Sequence, residues 1–184
     1  MSEEKTVLGI DPGTNLLGYC ILKGVKNKLN IPTCGVLHLR SKESHFNKLH
    51  TIYREISLLI AEYNPSEMAI EAPFFGKNVQ SMLKLGRAQG AAIIAGIENK
   101  LSVHEYSPRS IKQAITGNGN SSKEQVARML FSMYEIKLET KHLDETDAIA
   151  VAVCHYFGQR ELKTDAGAKQ YKNWTDFVRN QTGK

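Results

Sequence analysis

Short apolar runs alternate along this chain with long amphipathic stripes, and that order restricts the fold it can adopt. The first three runs have strand character, are separated by turn residues, and cover 7–10, 17–22 and 31–39. A stripe at helical spacing then extends over 49–63 and stops before Asn64-Pro65. The apolar run 68–70 predicts a buried strand that ends at Glu71.

The second half of the chain continues the alternation. A helix is predicted over about 78–99 and a short strand over 103–106. Ser121 followed by Glu124 is a capping-box pattern that opens another helix. The last helix starts near His142 and is apolar on nearly every face after its first turn, so we expect it to be buried. This order of strands and helices predicts an α/β fold with a mixed sheet.

Length and composition predict one globular domain. The 184 residues hold enough apolar material for one core, which we place in a domain over 1–158. Residues 159–184 are polar and rich in Lys and Arg, so we expect a basic, flexible tail. The longest apolar run, 91–97, falls well short of the ~20 residues that span a bilayer, and no leader pattern opens the chain. We therefore expect a soluble protein.

The cysteine content indicates the cellular compartment of the protein, and the charge indicates the type of partner. Three cysteines without a Cys-x-x-Cys pair argue against a disulfide framework and a structural zinc site, and favour a cytoplasmic location. The net charge of +5 permits a polyanionic partner, although a solvated basic surface is the commoner explanation of such an excess. Between Gly76 and Arg128, eight basic residues stand against three acids, which favours a nucleic acid.

Four acids lie at the ends of predicted elements: Asp11, Glu71, Asp144 and Asp147. Asp11 also suits a turn, and an acid in the first turn of a helix is favoured by the helix dipole. Glu71 is harder to explain structurally, because it directly follows an apolar strand. Converging carboxylates without a His-Cys cluster suit Mg²⁺ or Mn²⁺, and two such ions ~4 Å apart catalyse in-line phosphodiester hydrolysis. His142 is only a weak candidate for a supporting role beside these acids.

Three segments together resemble the RuvC family of Holliday junction resolvases. They are GIDPGTNLLGY from Gly9, AIEAPFFGKN from Ala69 with the LKLG that follows it, and DETDAIA from Asp144, and in order they cover about 7–157. The resemblance implies an RNase H-like fold, in which a mixed sheet is flanked by helices. It also implies that Asp11, Glu71, Asp144 and Asp147 are the catalytic residues and bind two Mg²⁺ ions per active site, with Mn²⁺ as an alternative.

The same resemblance implies contacts with a four-way DNA junction. Lys112 and Lys123 match basic positions near the scissile phosphate, Phe74 matches an aromatic placed against bases at the junction centre, and Lys77 lies in the same loop. Ala72-Pro73 departs from the family pattern, which puts the sequence preference in doubt. A ring exposed in this loop would stack on an unpaired base. The alternative is that Phe74 or Phe75 is buried and only packs against the neighbouring helix.

The sequence also raises the questions of binding partners and of alternative functions. The small-residue helix that contains Gly86 to Gly96 is implied to form a two-fold dimer interface, although close packing on the sheet explains it too. The resemblance also implies the branch-migration proteins RuvA and RuvB as partners. An actin-like ATPase or sugar kinase needs a second subdomain that this length does not supply. A related nuclease acting on RNA, or a module that binds branched nucleic acid without cutting it, stays open.

Overall fold

The computed structural model describes residues 4–26, 28–73, 78–134 and 143–164. Its elements follow the predicted order. The strands are β1 (Lys5–Asp11), β2 (Leu16–Val25), β3 (Lys28–His38), β4 (Glu67–Glu71) and β5 (Ser102–Tyr106). The helices are α1 (His45–Tyr63), α2 (Val79–Glu98), α3 (Pro108–Thr116), α4 (Lys123–Tyr134) and α5 (Leu143–Thr164).

The five strands form one mixed sheet in the order β3-β2-β1-β4-β5. The first three strands are an antiparallel meander, whereas β4 and β5 run parallel to β1. Pro32 is tolerated within β3 because that strand is an edge of the sheet, where a missing N–H is not needed by a neighbour. The predicted mixed sheet is thus confirmed.

Each face of the sheet has its own core, because alternate residues of a strand point to opposite sides. On one face, Val7 and Ala69 pack with the interior of α5 and with the apolar sides of α3 and α4. On the other face, Leu8 and Ile70 pack against α1 and α2. The result is a three-layer arrangement in which α5 covers the centre of the sheet.

Two local features differ from the sequence prediction. Helix α3 was not predicted, although Ser107 caps it by accepting a hydrogen bond from the Ser110 N–H, and Pro108 occupies its first turn. The capping box of α4 consists of Ser122 and Gln125, one residue later than expected. Ser121 is instead buried and bonds through its hydroxyl to Thr116 Oγ1 at 2.8 Å.

Helix α5 is the last described element, and it continues past Gly158 to Thr164. Residues 165–184 lie outside the described residues. None of the helices in the described ranges combines the length and the apolar character that a bilayer span requires.

Gly9 sets the distance between β1 and α5. A Cβ atom there would lie 2.4 Å from the Ala148 carbonyl oxygen and 2.7 Å from Ala152 Cβ. Because the first of these is a backbone atom, Gly9→Ala has to displace α5, and we expect it to lower the free energy of unfolding by about 1–3 kcal/mol in urea denaturation. Gly158→Ala on α5 is the control, since no atom lies within 4 Å and a helical Gly→Ala change stabilises by about 0.5–1 kcal/mol. Equal stability of Gly9→Ala and the wild type would contradict this packing.

Candidate active site

Two of the predicted acids end neighbouring parallel strands. Ile10 of β1 and Ile70 of β4 are register partners, so Asp11 and Glu71 follow them side by side. Both acids lie on the α5 face of the sheet, because Gly9 and Ala69 one pleat earlier face α5. Asp11 and Glu71 are each partly buried.

Helix α5 brings the third acid to the same place. Its close contact with Gly9 through Ala148 and Ala152 fixes the first turns of the helix over the ends of β1 and β4. Asp147 directly precedes Ala148, and its side chain is 15% exposed. Asp144 lies one turn earlier on α5, and its side chain is outside the described part of the structure.

A cavity of about 310 Å³ opens between these elements. It brings together two of the four predicted acids and both predicted lysines of this region, since its lining residues are Glu71, Pro108, Ile111, Lys112, Lys123, Val126, Asp147 and Ala150. Asp11 adjoins Glu71 through the strand register but does not line the cavity. The apolar part of the wall comes from α3, α4 and Ala150 of α5.

Glu71 and Asp147 share a strongly perturbed electrostatic environment. Burial and the charge of Asp147 raise the pKa of the Glu71 carboxyl to about 7, although Lys123 and Lys112 act in the opposite direction. The Lys123 ammonium donates a hydrogen bond to the Asp147 carboxylate. A buried acid with a like charge beside it is the arrangement that a bound cation relieves.

Gln89 and Tyr106 hold the end of β4 in place. Gln89 of α2 is 7% exposed, and its side-chain amide donates to the Glu71 carbonyl oxygen at 3.2 Å and to Glu105 Oε2 at 3.0 Å. The Ala72 N–H donates to the Tyr106 carbonyl oxygen at 2.8 Å. Sequence reasoning missed Gln89. Its signal was a lone polar residue on the buried, small-residue face of a helix.

The segment between α3 and α4 positions both lysines. Gly117 has a φ of 74° and ends α3 in the left-handed conformation, and a Cβ on Gly119 would lie 2.6 Å from the Arg109 side chain. Gly117 therefore ends a helix, and Gly119 permits close packing against Arg109. With this connection fixed, Lys112 of α3 and Lys123 of α4 face the same cavity.

Several sequence predictions lie outside the described residues. They concern the loop residues Phe74, Phe75 and Lys77, and also His142. A different group, Glu67, His104 and His155, has potential metal-ligand atoms that all lie within 4.8 Å of one another. Glu67 begins β4 whereas Glu71 ends it, so this group is separate from the carboxylate cavity.

Comparison with known proteins identifies the family. Residues 7–155 match the family described as "Crossover junction endodeoxyribonuclease RuvC". A protein of that name from Cytophaga hutchinsonii is 49% identical over 98% of this chain and 88% of its own length. Another, from Porphyromonas gingivalis, is 48% identical over 99% of this chain and 97% of its own length. Both relatives are matched over nearly their whole length.

Solved structures agree with the sequence relatives. A Thermus thermophilus RuvC in complex with a Holliday junction substrate has a TM-score of 0.79 and 29% identity, over 85% of this chain and 96% of that one. The yeast mitochondrial Holliday junction resolvase Ydc2 has a TM-score of 0.67 at 16% identity, over 87% of this chain and 81% of that one, and therefore supports the fold alone. The fold is the one expected for RNase H-like resolvases, and the chain belongs to the RuvC family of crossover junction endodeoxyribonucleases.

Proposed function

We propose that this protein resolves four-way DNA junctions by metal-dependent hydrolysis of phosphodiester bonds. The observation that carries the proposal is the cavity in which Glu71 and Asp147 face Lys112 and Lys123. Carboxylates suit a catalytic cation, and the lysines suit the phosphate backbone of the substrate. The junction as substrate is supported by family membership and by the junction-bound Thermus relative. We place this activity in the cytoplasm.

The donor chemistry of the site fits a hard divalent cation. Asp11, Glu71, Asp144 and Asp147 would hold Mg²⁺, with two ions per site and Mn²⁺ as the alternative. Glu71 binds a cation only after losing its proton, which its pKa of about 7 makes possible near neutral pH. When bound, the metal supplies an activated water and stabilises the charge that develops on the phosphate.

The residues around the acids have separate tasks in this proposal. Lys112 binds a phosphate of the substrate. When DNA and metal are bound, Lys123 releases Asp147 and binds the phosphate backbone of the DNA instead. Ile111 and Val126 keep bulk water from the cavity, so charges inside it interact more strongly. Gln89 fixes the backbone of Glu71 and acts as a positioning residue.

Replacement of a cavity lysine gives a quantitative test of phosphate binding. Lys112→Gln is expected to flatten the dependence of log Kd on log salt concentration by about 0.9, because one fewer phosphate is neutralised. The measurement is junction binding across a salt series in Ca²⁺, which permits binding without Mg²⁺-dependent cleavage. Lys28→Gln is the control, since Lys28 is exposed at the opposite end of the sheet. An unchanged slope for Lys112→Gln would remove Lys112 from the DNA interface.

The proposed homodimer is supported by one face of α2. Its exposed apolar residues and two glycines recur at helical spacing and fall on a single stripe, namely Val79, Leu83, Gly86, Gly90, Ile94 and Ile97. No atom lies within 4 Å of a Cβ built on Gly86 or Gly90, so the stripe is open within the described part of the chain. A second copy of the chain would cover it and place two active sites on one junction.

Light scattering tests the dimer directly. The wild-type protein is expected to have about twice the mass of 20.6 kDa, and Leu83→Glu to have the mass of one chain. Leu58→Glu on α1 is the matched control, because Leu58 is 56% exposed and Leu83 is 52% exposed. A monomeric wild type, or a Leu83→Glu variant that stays dimeric, would refute this interface.

Substrate comparison tests the function itself. The pure protein is incubated in Mg²⁺ with a four-way junction, a linear duplex and an RNA–DNA hybrid of equal length. We expect paired cuts in the junction only, with RuvA and RuvB acting as partners in the cell. Preferred cutting of the hybrid would favour the alternative of an RNA-directed nuclease. Tight junction binding without any cleavage in Mg²⁺ or Mn²⁺ would favour the non-cutting module.

A further inference from the structure

A second polar cluster lies between α5 and the sheet, away from the carboxylate cavity. Glu67 and Glu71 are at opposite ends of β4, on the same face and about 13 Å apart at the usual rise per residue. Small and apolar residues, including Ala69 and Ala152, separate the two places. Around Glu67, the side chains of His104 on β5 and His155 on α5 complete a group whose ligand atoms lie within 4.8 Å of one another.

We propose that Glu67, His104 and His155 form a second metal site, which binds Zn²⁺ or a similar divalent transition metal. Two imidazoles and one carboxylate are a ligand set typical of Zn²⁺, whereas Mg²⁺ prefers oxygen ligands alone. The site therefore differs in chemistry from the carboxylate cavity and does not depend on the proposed nuclease function. A water molecule would take the fourth position.

The side chains already have the net charges that metal binding requires, and ligation by His155 Nε2 needs only transfer of the ring proton to Nδ1, beside the Tyr106 hydroxyl. His155 is fully buried, and burial lowers its pKa to about 4, so its ring is neutral at physiological pH. Burial alone would raise the pKa of Glu67, but hydrogen bonds from Lys5 and His155 outweigh it and keep the carboxylate ionised. A transition metal ion thus meets a neutral imidazole and an anion.

The surroundings of His155 resemble the supporting shell of a metal ligand. Its Nε2 contacts Glu67 Oε2, and its Nδ1 lies 2.7 Å from the Tyr106 hydroxyl. Such a hydrogen bond on the second ring nitrogen fixes the orientation of a ligating histidine. The His104 and His155 rings are adjacent, with centroids 4.7 Å apart.

Access to the group is from the edge of the sheet. His104 is only half-buried on the edge strand β5, and in the described ranges no hydrogen bond engages its ring. The Glu67 side chain is 23% exposed. Four-coordinate Zn²⁺ with bonds of 2.0–2.2 Å needs ligand atoms about 3.3–3.6 Å apart, so modest side-chain rotations close the site.

Lys5 competes with the metal for Glu67. Its ammonium lies 2.7 Å from Glu67 Oε2, and its side chain is 21% exposed, so it can turn into solvent when an ion arrives. Metal binding would therefore exchange a lysine contact for bonds that join β4, β5 and α5. Since α5 also carries Asp147, a bound ion would stabilise the packing of this helix on β4 and β5, on which the carboxylate site depends.

Cobalt spectroscopy of the full chain tests the site. Co²⁺ is titrated into the protein with Mg²⁺ in excess, so that Mg²⁺ competes with Co²⁺ for the carboxylate cavity. We expect one Co²⁺ per chain with the intense visible absorption of four-coordinate cobalt, which Zn²⁺ then displaces. Failure to bind, the weak absorption of a six-coordinate ion, or a thiolate-to-cobalt band in the near ultraviolet would overturn the proposal.

Variants separate this site from adventitious binding. His104→Gln is expected to weaken Co²⁺ binding at least tenfold, and Tyr106→Phe by about 10–100-fold through the lost hydrogen bond. Lys5→Gln should instead tighten binding, because it removes the competing ammonium. His50→Gln on the exposed side of α1 and Asp147→Asn are controls that should leave the affinity unchanged. Unchanged binding by both His104→Gln and Lys5→Gln would place the metal elsewhere.

Discussion

Asp147→Asn is expected to bind four-way junctions normally and to cut them about 10³-fold more slowly or worse. The reason is that the change removes a charged ligand from the proposed metal site while keeping the shape of the side chain. Stabilisation of the transition state by a metal is worth several kcal/mol, and each ~1.4 kcal/mol is a tenfold change in rate. Single-turnover cleavage in Mg²⁺ and gel-shift binding in Ca²⁺ measure the two effects separately.

Glu145→Gln is the matched control for this experiment. It makes the same change of charge two residues earlier on α5, but Glu145 does not line the cavity. Its charge instead contributes, after burial, to the raised pKa of the Cys34 thiol on β3. We expect near wild-type cleavage from Glu145→Gln. Equal loss of binding and cleavage by Asp147→Asn would show that Asp147 supports the structure only.

Phe74→Ala is expected to cut junctions at least about tenfold more slowly while keeping the fold and the metal site. A ring three residues after Glu71 in the sequence would be useful only where bases near the cut are unstacked, as they are at the crossover of a four-way junction. The tenfold loss corresponds to the lower end of the ~1–3 kcal/mol per stacked base. Cleavage rates on a junction at saturating protein, with circular dichroism for the fold, provide the measurement.

Phe46→Ala serves as the aromatic control, because Phe46 is 76% exposed on α1 and is assigned no DNA contact. The salt dependence of junction binding should keep its slope in Phe74→Ala, since phosphate contacts of Lys112 and Lys123 are untouched. A wild-type rate for Phe74→Ala, or loss of the folded state, would assign this ring to the core. Junction selectivity would then have to come from other residues.

Much of the fold was accessible from the sequence because its signals are local. The stripe that ends at Asn64-Pro65 and the apolar run before Glu71 each carry their own periodicity or turn residues. Acids at strand ends were expected to face a common cleft, and the register of β1 and β4 places Asp11 and Glu71 side by side. The joining of Glu71 and Asp147 in one cavity was likewise expected from the acid pattern.

The features that escaped prediction depend on contacts between distant segments or on weak local signals. Helix α3 has only Ile111 and Ile115 on its buried side, which is too short a stripe to predict a helix. The cap of α4 shifted to Ser122 because Ser121 is engaged by Thr116 across the preceding turn. Gln89 could not be recognised from the sequence, because its hydrogen bonds to Glu71 and Glu105 exist only where α2 packs beside β4 and β5.

The contact of Gly9 with Ala148 and Ala152 joins the beginning of the chain to its last described helix. Loop closure over such a separation is slow and comes after local helices and hairpins have formed. During synthesis, β1 and its acid emerge long before α5 does. A chain truncated before α5 thus holds Asp11 and Glu71 without Asp147, and under the proposed function we expect it not to cleave DNA.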